Sequence, residues 1–95
     1  MATTSRQEAA DEMTSLERLT ALAEESDELA RIVAKNPSAP VSLLRVLCRS
    51  EDEETRKSVA VNPFAPYDVL SLLESQFSEL FLNNPTFKIY NSLRP

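Results

Sequence analysis

The chain of 95 residues is long enough for one domain with a modest core, and a hydrophobic share of 42% is typical of a folded protein. It contains no His, no Gly, no Trp and one cysteine, which argues against most enzymes, glycine-loop phosphate sites and thiolate metal sites. Residues 1–28 hold eight acids and two bases of a chain whose net charge is −5, so the acidic character is N-terminal.

The sequence gives no sign of a membrane or secretory segment. It has no run of about 18 apolar residues, and its N-terminus lacks a basic start followed by an apolar stretch. The single cysteine, Cys48, has no partner for an internal disulfide, which suits a reducing compartment. We therefore expect a cytoplasmic protein with no membrane contact, no cofactor and no bound metal.

The first predicted elements are helices. Ser5 with Glu8 is a candidate capping box for a helix in the acidic segment. Ser26 or Asp27 is the expected cap of a helix over about Glu28–Lys35. That helix should end at the next residue, because a residue before proline is pushed out of the α region.

The later elements follow the same plan. Pro40 and Pro66 are expected at the first position of the helices that follow them, where proline is well tolerated. Ser50 with Glu53 is a candidate capping box for the helix between them, which should end near Val61. No segment shows sustained strand alternation, so the predicted fold class is all-α.

An internal repeat organises these helices. The stretch VAKNPSAPVSLL at 33–44 recurs as VAVNPFAPYDVL at 59–70, which is 26 positions later. The third Asn-Pro pair follows after 22 positions and in a less similar setting. Each copy contains a helix stop, a corner and a helix start, so we interpret its asparagines and prolines as structural: Asn36, Pro37, Pro40, Asn62, Pro63, Pro66, Asn84 and Pro85.

The helix after Pro40 is apolar except for a stripe of Ser42, Arg45 and Arg49. A helix apolar on nearly all sides should be covered on nearly all sides, as it is in a stacked array of two-helix units. The VAxNPxxPxxLL pattern resembles the leucine-rich repeat variant family over roughly Leu16–Leu93. The resemblance implies a short right-handed solenoid of α/3₁₀ or α/α pairs, here about three, and it brings no single activity with it.

We predict an N-terminal capping helical segment at 1–27 and repeats at 28–50, 51–75 and 76–95. Two surfaces are candidates for binding. The first combines the polar stripes with aromatic residues at a corner: Arg45, Arg49, Asp68, Ser71, Phe64 and Tyr67. The second is the C-terminal edge, where Phe87, Ile89, Tyr90 and Leu93 have no following repeat to cover them.

The predicted function is a non-enzymatic protein-interaction module. Its partner would bind the helical surface or the C-terminal edge, and that edge could also meet a second copy or a further domain. The alternative is nucleic-acid binding through a basic stripe: Arg31, Lys35, Arg45, Arg49, Arg56 and Lys57. The acidic run 51–54 offsets much of that charge, so we favour the first reading. For the corner aromatics, filling the core is the other interpretation, and Cys48 is expected to pack as a small buried hydrophobe.

Overall fold

The computed structural model describes the backbone of residues 4–81 and the side chains of residues 4–74, 76 and 77. This part of the chain contains helices and no strands, as the sequence predicts. The helices are α1 (Ser5–Ala10), α2 (Leu16–Glu25), α3 (Asp27–Lys35), α4 (Val41–Leu47), α5 (Glu53–Ala60) and α6 (Tyr67–Phe81), the last with a kink at Phe77. The helix pairs in this region are α/α and not α/3₁₀.

The helices form two rows. The first row is α1, α3 and α5, in which α3 packs against both neighbours. The second row is α2, α4 and α6, whose members pack mainly on the first row and scarcely on one another. The described residues extend over 52 × 25 × 19 Å, as expected for stacked units. The handedness of the stack and the number of repeats in the whole chain stay predictions, as do the predicted repeat boundaries.

The core lies between the rows and is built mainly from leucine, valine and alanine. Each helix contributes the side chains that face the other row, which gives the 3.6-residue spacing of the buried positions. The fully buried large apolar side chains are Leu19, Leu22, Val33, Leu44, Val59, Val69, Leu70 and Leu73. Cys48 is also buried, and its Sγ lies 3.0 Å from the carbonyl oxygen of Arg45, to which the thiol donates.

The asparagines of the corners link successive helix pairs. Asn36 is buried, and its Nδ2 donates to the carbonyl oxygens of Ala9 at 2.8 Å and Asp11 at 3.0 Å. Its Oδ1 accepts from the backbone N–H of Ser38 at 2.8 Å, which closes an Asx turn. One amide therefore shapes its own corner and binds the end of α1 in the preceding pair.

The next corner has the same hydrogen bonds. Asn62 Nδ2 donates to the carbonyl oxygens of Ala34 at 2.7 Å and Asn36 at 3.1 Å, and Asn62 Oδ1 accepts from the N–H of Phe64 at 2.8 Å. The first corner has Asp11, whose Oδ1 accepts from the N–H of Met13 at 2.8 Å. A carboxylate keeps the turn but has no N–H to donate to a preceding pair.

Four local expectations need correction, and three of them concern helix starts. Thr4 caps α1 with Gln7 as its capping-box partner, so the Ser5–Glu8 pair is wrong. Asp52 caps α5 instead of Ser50, because its Oδ2 accepts from Thr55 N at 3.1 Å and Thr55 Oγ1 at 2.7 Å. The Ser50 hydroxyl instead accepts from the N–H of Asp52.

The third correction concerns the prolines, which stand one position earlier than expected. Pro40 is the N-cap of α4 with ψ of 148°, and α6 begins at Tyr67, just after Pro66. The carbonyl groups of both prolines accept the first intrahelical bonds. Of the two caps considered for α3, the structure has Ser26, whose Oγ accepts from Leu29 N at 3.1 Å.

The fourth correction concerns the burial of α4. We expected it to be covered on nearly all sides, but Val46 is 67% exposed. The second-row helices lie too far apart to cover one another's flanks, so one side of α4 faces solvent. This exposed side of α4 forms part of the candidate site.

Candidate interaction surface

The structure brings two of the predicted site residues together. Arg45 on α4 and Asp68 on α6 form an ion pair, with Nε to Oδ2 at 3.1 Å and Nη2 to Oδ1 at 3.4 Å. The Arg45 guanidinium holds the pKa of the Asp68 carboxyl below its usual range through this hydrogen bond. Both side chains are more than half exposed, so water and salt screen the pair and leave it available to a partner.

Two apolar side chains flank this ion pair. Val46 follows Arg45 on α4, and Leu72 lies one turn after Asp68 on α6. Val46 is 67% exposed and Leu72 is 52% exposed. The two occupy equivalent positions 26 residues apart, so they form one feature of the repeat surface. We call Arg45, Val46, Asp68, Ser71 and Leu72 the α4–α6 face.

The remaining predicted residues lie around this face. Ser71 and Arg49 are exposed, and Tyr67 is half-buried at the start of α6. Phe64 is 62% exposed at its corner, so it does not fill the core. Its backbone N–H is held by Asn62 Oδ1, which fixes the start of the side chain while leaving the ring in solvent.

Sequence reasoning missed Val46 and Leu72, because a helix with few polar positions predicts burial for all its apolar ones. A signal was present in the repeat itself. Val46 and Leu72 each follow a position of the polar stripe, and both are large and apolar although the equivalent residue of α2 is Ala21. Their exposure depends on the distance between second-row helices, which the pattern does not contain.

The predicted basic stripe is largely paired within the chain. Arg31 donates to Asp52 through two bonds of 2.7 and 2.8 Å, and Lys57 Nζ lies 3.3 Å from Glu54. Arg56 donates to Gln76 and to the carbonyl oxygen of Ser50. Among the side chains that the structure describes, Lys35 is the one cation of that stripe with neither an ion pair nor a side-chain hydrogen bond, since Arg49 is hydrogen-bonded to Cys48. The cations therefore do not form a continuous free patch.

Asp52 of the acidic run 51–54 has a structural role in the same region. Asp52 caps α5 and pairs with Arg31, which holds the pKa of Asp52 well below its usual range. Among the residues described, no group of three or more His, Cys, Asp or Glu side chains is arranged to hold a metal ion. Nor does any helix there combine the length and apolar content needed to cross a membrane.

Several predicted positions cannot be placed against this geometry. The third Asn-Pro pair, Asn84 and Pro85, lies outside the described residues. So does the whole candidate C-terminal edge, made up of Phe87, Ile89, Tyr90 and Leu93.

Comparison with known proteins gave one match. The family model of the Leucine Rich Repeat Variant domain matches residues 3–63, which span α1 to the third corner. The match therefore includes the acidic N-terminal helices, the whole first copy of the repeat at 33–44 and the first five residues of the second copy at 59–70. Searches of curated proteins and of solved structures gave no match.

Proposed function

Because the chain belongs to the leucine-rich repeat variant domain family, we propose that it is a non-enzymatic protein-interaction module that binds a partner protein through the α4–α6 face. Helical repeat arrays present extended surfaces, and the family is defined by its architecture and not by a reaction. The absence of His and Gly from the sequence supports a binding role over a catalytic one.

One observation carries the choice of surface. Val46 and Leu72 are exposed apolar side chains beside an ion pair that is itself open to solvent. Protein interfaces combine an apolar centre with polar groups that set orientation, and the α4–α6 face has residues of both kinds. Phe64 at the adjoining corner would add an aromatic contact.

Nucleic-acid binding is the less favoured alternative. Arg31, Arg45 and Lys57 would each have to give up a carboxylate of this chain to reach a phosphate. The net charge of −5 would also weaken attraction to a polyanion. Binding at the C-terminal edge, to a second copy or to a further domain, remains a second route to a protein partner. The free Cys48 favours a cytoplasmic setting for either route.

The test is affinity capture from lysate with residues 1–95 as bait, in parallel with two double variants. Val46→Ser with Leu72→Ser removes the apolar part of the α4–α6 face. Met13→Ser with Leu16→Ser is the matched control, because it removes two apolar side chains elsewhere that are at least as exposed. Circular dichroism checks that both variants fold.

We expect a discrete protein that binds the wild type and the control, survives nuclease treatment and is lost with the α4–α6 variant. Equal capture by the wild type and both variants would refute this surface. If the captured material were lost after nuclease treatment, or with Arg45→Glu and at high salt, nucleic-acid binding would become the leading function.

A further inference from the structure

A cavity of about 260 Å³ opens between the ends of α1 and α3, on the first row of helices, and no residue of the α4–α6 face lines it. Its wall is mostly apolar. It contains two cations and no carboxylate, and its lining residues are Ala10, Arg31, Ile32, Lys35, Asn36 and Pro37. Ile32 is half-buried, with part of its side chain packed on the core and the rest facing this space.

The repeat explains why the cavity is here. Alignment of the corners at Asp11 and Asn36 places Ala10 at the position of Lys35 in the next pair. The methyl group of Ala10 is too short to cover Ile32, whereas a lysine stem at that position would lie across it. One pair later, Ser58 stands at the position equivalent to Ile32, so the next step has no apolar side chain at the base of such a cavity. These two differences distinguish this step of the array from the next step, between α3 and α5.

The charges around the cavity favour a carboxylate. Arg31 is directed to Asp52, and the neighbouring acid Glu28 is paired with Arg6. The Asp11 carboxylate is engaged by the N–H of Met13 in its own corner. Lys35 is exposed and has no ion-pair partner among the described residues, so its ammonium group is the available charge at the rim.

We propose that this cavity is a peptide-binding site that takes one apolar side chain, with a carboxylate of the adjacent residue bound by Lys35. Its volume lies below the roughly 300 Å³ at which small-molecule pockets begin, which suits a single side chain better than a cofactor. The site shares no residue with the α4–α6 face, so the two proposals stand or fall separately.

The experiment is an NMR titration of the ¹⁵N-labelled chain with the peptide acetyl-Leu-Asp-amide. We expect saturable shifts at the amides of Ala10, Ile32, Lys35 and Asn36, with an affinity on the order of millimolar for so small a ligand. The peptide acetyl-Leu-Asn-amide, which lacks the carboxylate, should bind roughly two- to fivefold more weakly than acetyl-Leu-Asp-amide. The Lys35→Gln chain should bind acetyl-Leu-Asp-amide more weakly by a similar factor.

Two variants make the test specific. Ala10→Lys places at the first pair the residue that the array uses one pair later, and it should fill the cavity and abolish the shifts. Arg49→Gln removes an exposed cation that does not line the cavity and should leave binding unchanged. Non-saturable shifts, equal binding of the Asp and Asn peptides, or unaltered binding by a folded Ala10→Lys chain would each overturn the proposal.

Discussion

Replacement of Asn62 by aspartate tests the asparagine bonds that join the helix pairs. The substitution keeps the size of the side chain and keeps Oδ1, so the Asx turn to Phe64 N survives. It replaces the Nδ2 donor, which lies 2.7 Å from Ala34 O and 3.1 Å from Asn36 O, with an oxygen. A carboxylate at this site would then face two carbonyl oxygens in a buried place.

The loss follows from those contacts. Each buried carbonyl that loses its donor costs about 1–3 kcal/mol, and the carbonyl of Asn36 keeps its bond from Ala39 N. We therefore expect Asn62→Asp to lower the free energy of unfolding by roughly 2–5 kcal/mol. A chain of 95 residues has about 5–14 kcal/mol in total, so this is a large fraction.

The assay is urea unfolding followed by circular dichroism at neutral pH, and the sequence offers a matched control. Asp11→Asn makes the reverse exchange at a corner whose side chain, among the described residues, bonds the N–H of Met13 and no other helix pair, and it should change the free energy of unfolding by about 0.5 kcal/mol or less. If Asn62→Asp cost no more than Asp11→Asn, the asparagine amides would not be holding the pairs together.

Three further outcomes follow from the same structure. Leu44→Ala should cost roughly 2–5 kcal/mol, while Val46→Ser, two residues later but exposed, should cost about 0.5 kcal/mol or less in the same unfolding assay; similar losses would mean that α4 is covered on both sides. The folded-state pKa of Asp52 is lowered, so its stabilising contribution is present above the unfolded-state pKa of about 3.9 and is lost as pH falls through the folded value. The urea midpoint of the wild type should therefore fall on acidification more steeply than that of Asp52→Asn. Burial raises the pKa of the Cys48 thiol, so a disulfide reagent should react with it roughly tenfold or more slowly than with free cysteine until urea unfolds the chain, and a fast native reaction would contradict its placement.

The linear sequence was enough to predict the repeated part of the architecture. Proline restricts the residue before it and lacks an N–H, and these are local effects that need no knowledge of the rest of the fold. The stop at Asn36 and the restart after Pro40 could therefore be predicted from the letters alone. The all-α class followed from the absence of strand alternation, and the resemblance to the family from the repeated VAxNPxxPxxLL pattern.

Local rules were less reliable where several caps compete. Ser50 and Asp52 both precede α5, and a capping-box pattern favours Ser50. Asp52 is the cap, and Arg31, which lies 21 residues earlier, also binds its carboxylate and adds to the stability of that arrangement. A preference that depends on a side chain from the neighbouring pair cannot be derived from the local segment.

The candidate surfaces depended on tertiary structure for a related reason. The sequence identified Arg45 and Asp68 as polar positions of two helices, but their ion pair exists only because α4 and α6 are successive members of one row. Val46 and Leu72 are exposed because that row is open, and Ala10 leaves a cavity because α3 packs beside α1. Composition and spacing determine which residues can turn, cap and pack, since those are properties of short segments. The distances between helices decide which apolar side chains stay in water, since burial depends on every neighbour at once.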